Sequence, residues 1–278
     1  MESTGVFWKP VWNILESHFH WCLMQSMLKN VPGRKTDVKD AEWLAKLLRS
    51  GLIERNFVPS EDIRNLRDLT RYRKKLIHQR TAEQNRIHKI LQDANIKLTS
   101  VFSQIFGASG RRILEAIIDG EKIEIKDLQQ MVHWRTKASI PDIAKAINGR
   151  IRRHHRDMLR FHWDHMIYLE QTIKQLEEQI DQCLTSYRKE VELLETIPGV
   201  SESGAATFIA EMGVDMSVFR SAKHLASWAG VSPGNNESAG KKDSKSTKGN
   251  KALKTMAVEC ALSSLKQDNR ISAHQKGL

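Results

Sequence analysis

Cysteine is scarce in this chain. Its 278 residues include 3 cysteines, Cys22, Cys183 and Cys260. They are odd in number, far apart, and form no C-x-x-C pair, which argues against a disulfide framework or a cysteine zinc site and for a reducing compartment. Long apolar runs are missing too. Nothing approaches the ~20 residues a membrane helix needs, and no signal peptide opens the sequence. These absences predict a cytoplasmic protein with no membrane partner.

Acidic charge is short in two places. Overall, 44 Lys and Arg face 33 Asp and Glu, a formal net charge of +11. Residues 60–98 hold ten basic and five acidic side chains, and residues 239–278 hold nine and three. Those two segments supply the whole excess. Positive charge localised beside structured sequence predicts a polyanion partner, most often nucleic acid.

What is present reads as mostly α with a small α/β part. "STGVFW" (3–8) and "FHWCLM" (19–24) are strand-like and flank a short helix over 10–17. A loop, "NVPGRKT", then leads to a helix starting at Asp37 and running to about Arg49. Asp37 and Asp40 stand three residues apart at its start, between Lys35 and Lys39. The residues allow two readings. Acidic side chains are favoured near exposed helix amides, and carboxylates at i and i+3 can also face one divalent ion.

Pro59 and Ser60 open a long basic helix to about residue 98, broken by "FGASG" (106–110). From 151 to 190, Leu159, His162, Met166, Leu169, Ile173, Leu176, Ile180 and Cys183 recur at spacings of three and four, a heptad seam whose ordinary use is oligomerisation. His154, His155, His162 and His165 suit a solvated or phosphate-facing surface better than a metal site, given the arginines around them.

The last third is more specific. "LLETIPGVSESGAATFIAEMG" (193–213) reads as helix, tight turn at Pro198 and Gly199, helix. It resembles a helix-hairpin-helix, a motif whose hairpin amides hold a DNA phosphate without reading sequence. "GNNESAGKKDSKSTKGNKALK" (234–254) is a Lys/Gly/Ser loop ahead of an apolar helix, a place where a phosphate or a nucleophile can sit.

Five blocks then agree in order with one family: "MESTGVFWKPVWNILE", "GRKTDVKDAEWLAKLLRSGLI", "LRDLTRYRKKLIHQRTAEQNRIHKIL", "LETIPGVSESGAATFIAEMG" and "SAKHLASWAGVSPGNNESAGKKDSKSTKGNKALK". Together the chain resembles the DEDD transposases of bacterial insertion sequences (family one-hundred-ten). The resemblance implies a partial RuvC-like, RNase-H-fold nuclease domain over 1–58, a basic helical and coiled-coil region over 59–190, and a C-terminal transposase domain over 191–278. It implies Glu2 as the second acid of a quartet and Asp37 and Asp40 as the third and fourth, together binding Mg²⁺. Ser238 matches the family's nucleophile, with Lys241, Lys242, Lys245 and Lys248 holding the flanking DNA backbone, and the Pro198–Gly199 hairpin is a separate DNA-binding element. Implied partners are DNA, a structured guide RNA, and further copies of the chain through the coiled coil. The family's first acid lies on a strand preceding the E-S-T-G block, and members continue past "KQDNRISAHQKGL". The expectation is therefore a transposase incomplete at both ends, with weakened Mg²⁺ binding and inactive as it stands. The alternative is a non-catalytic DNA-binding remnant.

Overall fold

The computed structural model describes residues 2–3, 8–15, 23–24, 42–43, 45–47, 49–50, 58–233, 236–238, 241–243, 246, 248–266 and 268–276. The described residues are mostly helical. They fall in two compact units, each discontinuous in sequence: Met1–Arg64 with Glu211–Lys254, and Asn65–Ala210 with Thr255–Leu278.

In the first unit, strand β1 (Glu2–Ser3) pairs in parallel with β2 (Leu23–Met24), Glu2 opposite Leu23. Helix α1 (Trp8–Leu15) lies between them in sequence, as a parallel pair requires a crossover. Trp12 and Pro59 are buried. The helix expected after Asp37 is present at residues 42–43, 45–47 and 49.

The second unit is built on two long helices, α2 (Glu61–Asp93) and α6 (Arg153–Leu184). Of α2, the residues from Asn65 onward belong to this unit. The partners show how the helices run. Arg73 meets Glu177 at 2.6 Å, Glu83 meets His162 at 2.7 Å, and Asp93 meets His155 at 2.8 Å. As one number climbs the other falls, so the pair is antiparallel. Leu76 packs with Leu169, Ile173 and Leu176, flanked by Leu69 and Ile77. Farther along, Ile87 and Leu91 join Leu159, Trp163 and Met166.

The heptad seam therefore finds its partner inside the chain. Two of its expected members are displaced: Trp163 and Leu184 are buried where His162 and Cys183 were expected, and those two are only half-buried. An α-helix advances 3.6 residues per turn, so its buried face drifts ~20° per heptad away from a strict 3.5 repeat. Toward the C-terminus this drift carries the seam one position on, from Cys183 to Leu184; at the N-terminal end its sign is opposite, and there Trp163 takes the core place while His162 pairs with Glu83.

Between the long helices, α3 (Ala108–Asp119), α4 (Ile125–Met131) and α5 (Ile140–Ile147) cap the hairpin's far end. Ile113, Leu114, Leu128 and Ile143 are fully enclosed there with Leu98 and Leu159. Lys97 N–H donates to Ala146 C=O at 2.9 Å and Arg150 N–H to Ala94 C=O at 2.8 Å, closing the excursion on itself.

One layer of the hairpin is ionic. Glu83, 4% exposed, accepts from His162 Nδ1 at 2.7 Å and His165 Nδ1 at 3.1 Å, and pairs with Arg86. Burial pushes its carboxyl up, but the hydrogen bond from His162 and the charge of Arg86 outweigh this and hold it below the usual carboxylate range. A depressed carboxyl stabilises the fold above its unfolded-state value, and the benefit is lost as pH falls through the folded value. Glu83→Ala removes the one acceptor that His162, His165 and Arg86 share. It is expected to cost about 2 kcal/mol, a fall in Tm of about 4–8 °C for a protein of this size. The difference from the parent should shrink as pH drops into the carboxylate range. Thermal unfolding of both proteins at neutral and acidic pH checks this; equal Tm values at neutral pH would show that the layer contributes nothing.

Candidate functional site

Segment 230–254 lies in the first unit and forms a rooted hairpin. Helix α9 (Ala222–Ala229) begins at Ser221, whose Oγ accepts from His224 N–H at 3.2 Å, and ends at Gly230, φ +76°. A left-handed C-terminal residue closes a helix with no Cβ penalty when it is glycine. Pro233 and Ser246 then form an antiparallel bridge. Above it, β3 (Asn236–Ser238) pairs antiparallel with β4 (Lys241–Asp243). Asn236 faces Asp243, Glu237 faces Lys242, and Ser238 faces Lys241. Two residues, Ala239 and Gly240, separate the strands in sequence. Backbone register thus puts Ser238 at the last paired position, opposite a lysine.

The root of this hairpin is Lys248-Gly249-Asn250. Asn250 N–H donates to Trp228 C=O at 3.1 Å. Its Oδ1 accepts from Ala252 N–H at 3.0 Å and Leu253 N–H at 3.2 Å, capping helix α10 (Lys251–Ser264). Its Nδ2 donates to Glu211 Oε2 at 2.7 Å, and Glu211 is fully buried. Gly249 permits the approach: a Cβ there would lie 2.3 Å from Gly230 N and 2.5 Å from Trp228 O. Asn250, Gly249 and Glu211 were not among the residues expected from sequence. The signal for Asn250 was available, since Asn directly before an apolar helix is a cap pattern.

The other expected site residues are placed as follows. Glu2 is in β1. Asp37, Asp40 and Lys245 lie outside the described residues. Lys248 is exposed. Among the described residues no group of three or more His, Cys, Asp or Glu could hold a metal ion, and none of the helices is long and apolar enough to cross a membrane.

Pro198 and Gly199 are in the second unit, between α7 (Arg188–Glu195) and α8 (Glu202–Met212). Val200 N–H donates to Ile197 C=O at 3.0 Å across the turn. Pro198 is exposed, while Gly199, φ +87°, lies against Cys260 and Ser264. The first turn of α8 carries Glu202, which pairs with Arg188 at 2.8 Å. A carboxylate thus stands beside the helix end that the motif offers to phosphate.

The basic character of 60–98 is partly used internally. Arg73 pairs with Glu177 and Lys74 with Glu259. Arg67 Nε donates to Ala210 C=O at 2.8 Å. Lys75, Lys89 and Lys97 are exposed. Sequence reading cannot anticipate such pairs, whose members are about a hundred residues or more apart.

Residues 1–96 match the family model of DEDD transposases of the IS110 type, described as a transposase. Residues 191–276 match a second model, described as the transposase IS116/IS110/IS902 family. The chain belongs to the IS110 family of transposases. The two matches are separate in sequence and name the same family. A curated relative, the pilin gene-inverting protein of Moraxella bovis, is 37% identical over 78 residues, 27% of this chain. That match spans 24% of the relative's own length. In this IS110-family chain, the matched segment 191–276 contains the whole Ser238 hairpin and its Asn250 root.

Proposed function

We propose that this IS110-family transposase cuts and joins DNA through Ser238. The observation that supports it best is the hairpin register: Ser238 opposite Lys241 at the end of a β-ribbon anchored by Asn250 on Glu211 and Trp228. A nucleophile needs a fixed position and a cationic neighbour for the phosphate it attacks. In the proposed step the Ser238 oxygen bonds to phosphorus and the bond from phosphorus to the leaving deoxyribose oxygen breaks. The serine loses its proton and the leaving oxygen gains one. The product is a phosphoserine link that a second hydroxyl can resolve by the reverse attack. Lys241, Lys242, Lys245 and Lys248 hold the flanking phosphates electrostatically, with the Pro198–Gly199 turn as a further backbone contact.

The family resemblance supplies Glu2, Asp37 and Asp40 as the donor set, three carboxylates whose hard oxygens suit Mg²⁺. Bound there, the ion would supply charge neutralisation at the scissile phosphate. The proposed partners are DNA and, as in the family, a structured RNA from the element's flanks.

Asp37→Asn and Asp40→Asn are expected to lower metal-dependent DNA cleavage by roughly 10³-fold while leaving DNA affinity nearly unchanged, because a metal's electrostatic contribution is several kcal/mol. Cleavage of the element's ends, assayed across a divalent-metal titration with the flanking transcript present, is the test. Full cleavage by both variants would remove the acids from the site. Binding without metal-dependent cleavage in the parent would leave only a DNA-binding protein.

A further inference from the structure

The loop between α4 and α5 presents a tryptophan that the fold does not need. Thr136 N–H donates to His133 C=O at 2.9 Å, making a β-turn with Trp134 and Arg135 at its corners. Arg135 N–H donates to His133 Nδ1 at 3.2 Å. His133 N–H donates to Ser109 Oγ at 2.9 Å, tying the turn to the start of α3. Three hydrogen bonds therefore fix this turn, and none uses the indole. Trp134 is nevertheless 81% exposed.

The surroundings are cationic. Arg135 Cζ lies 4.8 Å from the Trp134 ring centroid. The His133 ring is stacked on the indole at 5.6 Å with 27° between planes. Arg112 reaches the same loop, its guanidinium 3.5 Å from Met131 C=O, and Lys137 follows two residues after Arg135. From Val132 to Pro141 the sequence has no acidic residue. The next carboxylate, Asp142, already accepts from Ser139 Oγ at 2.6 Å.

Each part of this arrangement has a known use with nucleic acid. An exposed indole offers a π-face that any base can stack on, and neighbouring arginines add cation–π attraction and phosphate contacts. Duplex bases are stacked on one another and have no free face, so the fit is to an unpaired nucleotide. A protein partner would be expected to meet a broader apolar surface, with charge depleted at its centre. Here cations crowd the centre instead.

We propose that the His133–Thr136 turn is a stacking platform for an unpaired base of a single-stranded nucleic acid, with Trp134 as the platform and Arg135, Lys137 and Arg112 as the phosphate contacts. It is separate from the Ser238 hairpin and does not depend on catalysis.

The test is fluorescence anisotropy of the full chain with labelled oligothymidylate, oligouridylate, an abasic strand of equal length and a duplex. Trp134→Ala is expected to weaken single-strand binding roughly 5- to 150-fold, the range for losing one stacked base. The duplex and the abasic strand should show no such loss, and Trp134→Phe should keep most of the affinity. Arg135→Gln should flatten the single-strand salt dependence by about 0.7 per lost phosphate contact. A loss confined to thymidylate or to uridylate supports the platform and shows which of the two strands it serves. Unchanged affinity on both, or an equal loss on the abasic strand, would overturn the proposal.

Discussion

Ser238→Ala should abolish DNA cutting and joining while DNA affinity is retained. Removing a nucleophile that forms a covalent intermediate typically lowers turnover by roughly 10⁴-fold or more, because no neighbouring group can take over its bond. The size of the effect separates two chemistries. If water were the attacking group, the serine would at most position it, and its loss would leave appreciable cleavage. If Ser238 is the nucleophile, cleavage falls to background. Ser238 ends β3 at the backbone position opposite Lys241, and alanine is compatible with a paired strand position. A defect confined to chemistry is therefore expected. Comparing DNA-end cleavage rates and DNA affinity of parent and variant is the measurement. A rate within about tenfold of the parent would indicate that the serine is not the nucleophile.

Gly199→Ala is expected to be strongly destabilising. The backbone at Gly199 has φ +87°, where an L side chain is strained. The added Cβ would also fall 2.2 Å from Cys260 O and 2.7 Å from Ser264 N. Both are backbone atoms of α10, so no rotamer change relieves the overlap. Left-handed strain costs 1–3 kcal/mol and overpacking a similar amount, giving about 3–5 kcal/mol together. That corresponds to a fall in Tm of about 6–20 °C for a protein of this size. Pro198→Ala serves as the control, since Pro198 is exposed. The same variant addresses the turn's role. If Gly199 serves only as a DNA contact, Tm stays put and affinity drops; if it also seats the turn on α10, thermal unfolding shows the loss directly.

The parts legible in the sequence were those governed by local period. Leu159, Met166, Leu169, Ile173, Leu176 and Ile180 were expected on one helix face, and all are buried. What the period could not say was whose surface they meet. Only the fold brings α2 back against α6, and with it Glu83 against His162 and His165. The misplacement of Cys183 has the smaller cause of helical drift, whereas His162 yields the core place to Trp163 and pairs with Glu83. Segment 234–254 looked like a loop because its lysines, glycines and serines have low strand propensity. Its β-ribbon is short and lies between the Pro233–Ser246 bridge and the root at Asn250. Ser238 was legible only through family resemblance, since no spacing rule marks a lone serine. Trp134 was not singled out in the sequence, because its exposure is a property of the turn and not of composition.

The most direct test of Ser238 as the DNA-linked nucleophile is the position of the covalent bond. The protein is incubated with the element's DNA ends, its flanking transcript and a divalent metal, then denatured, digested with nuclease and protease, and analysed by mass spectrometry. A nucleotide-bearing peptide that contains Ser238 is expected, with fragment ions placing the phosphate on that residue. DNA cleavage with no linked peptide, or with the phosphate on another side chain, would contradict it.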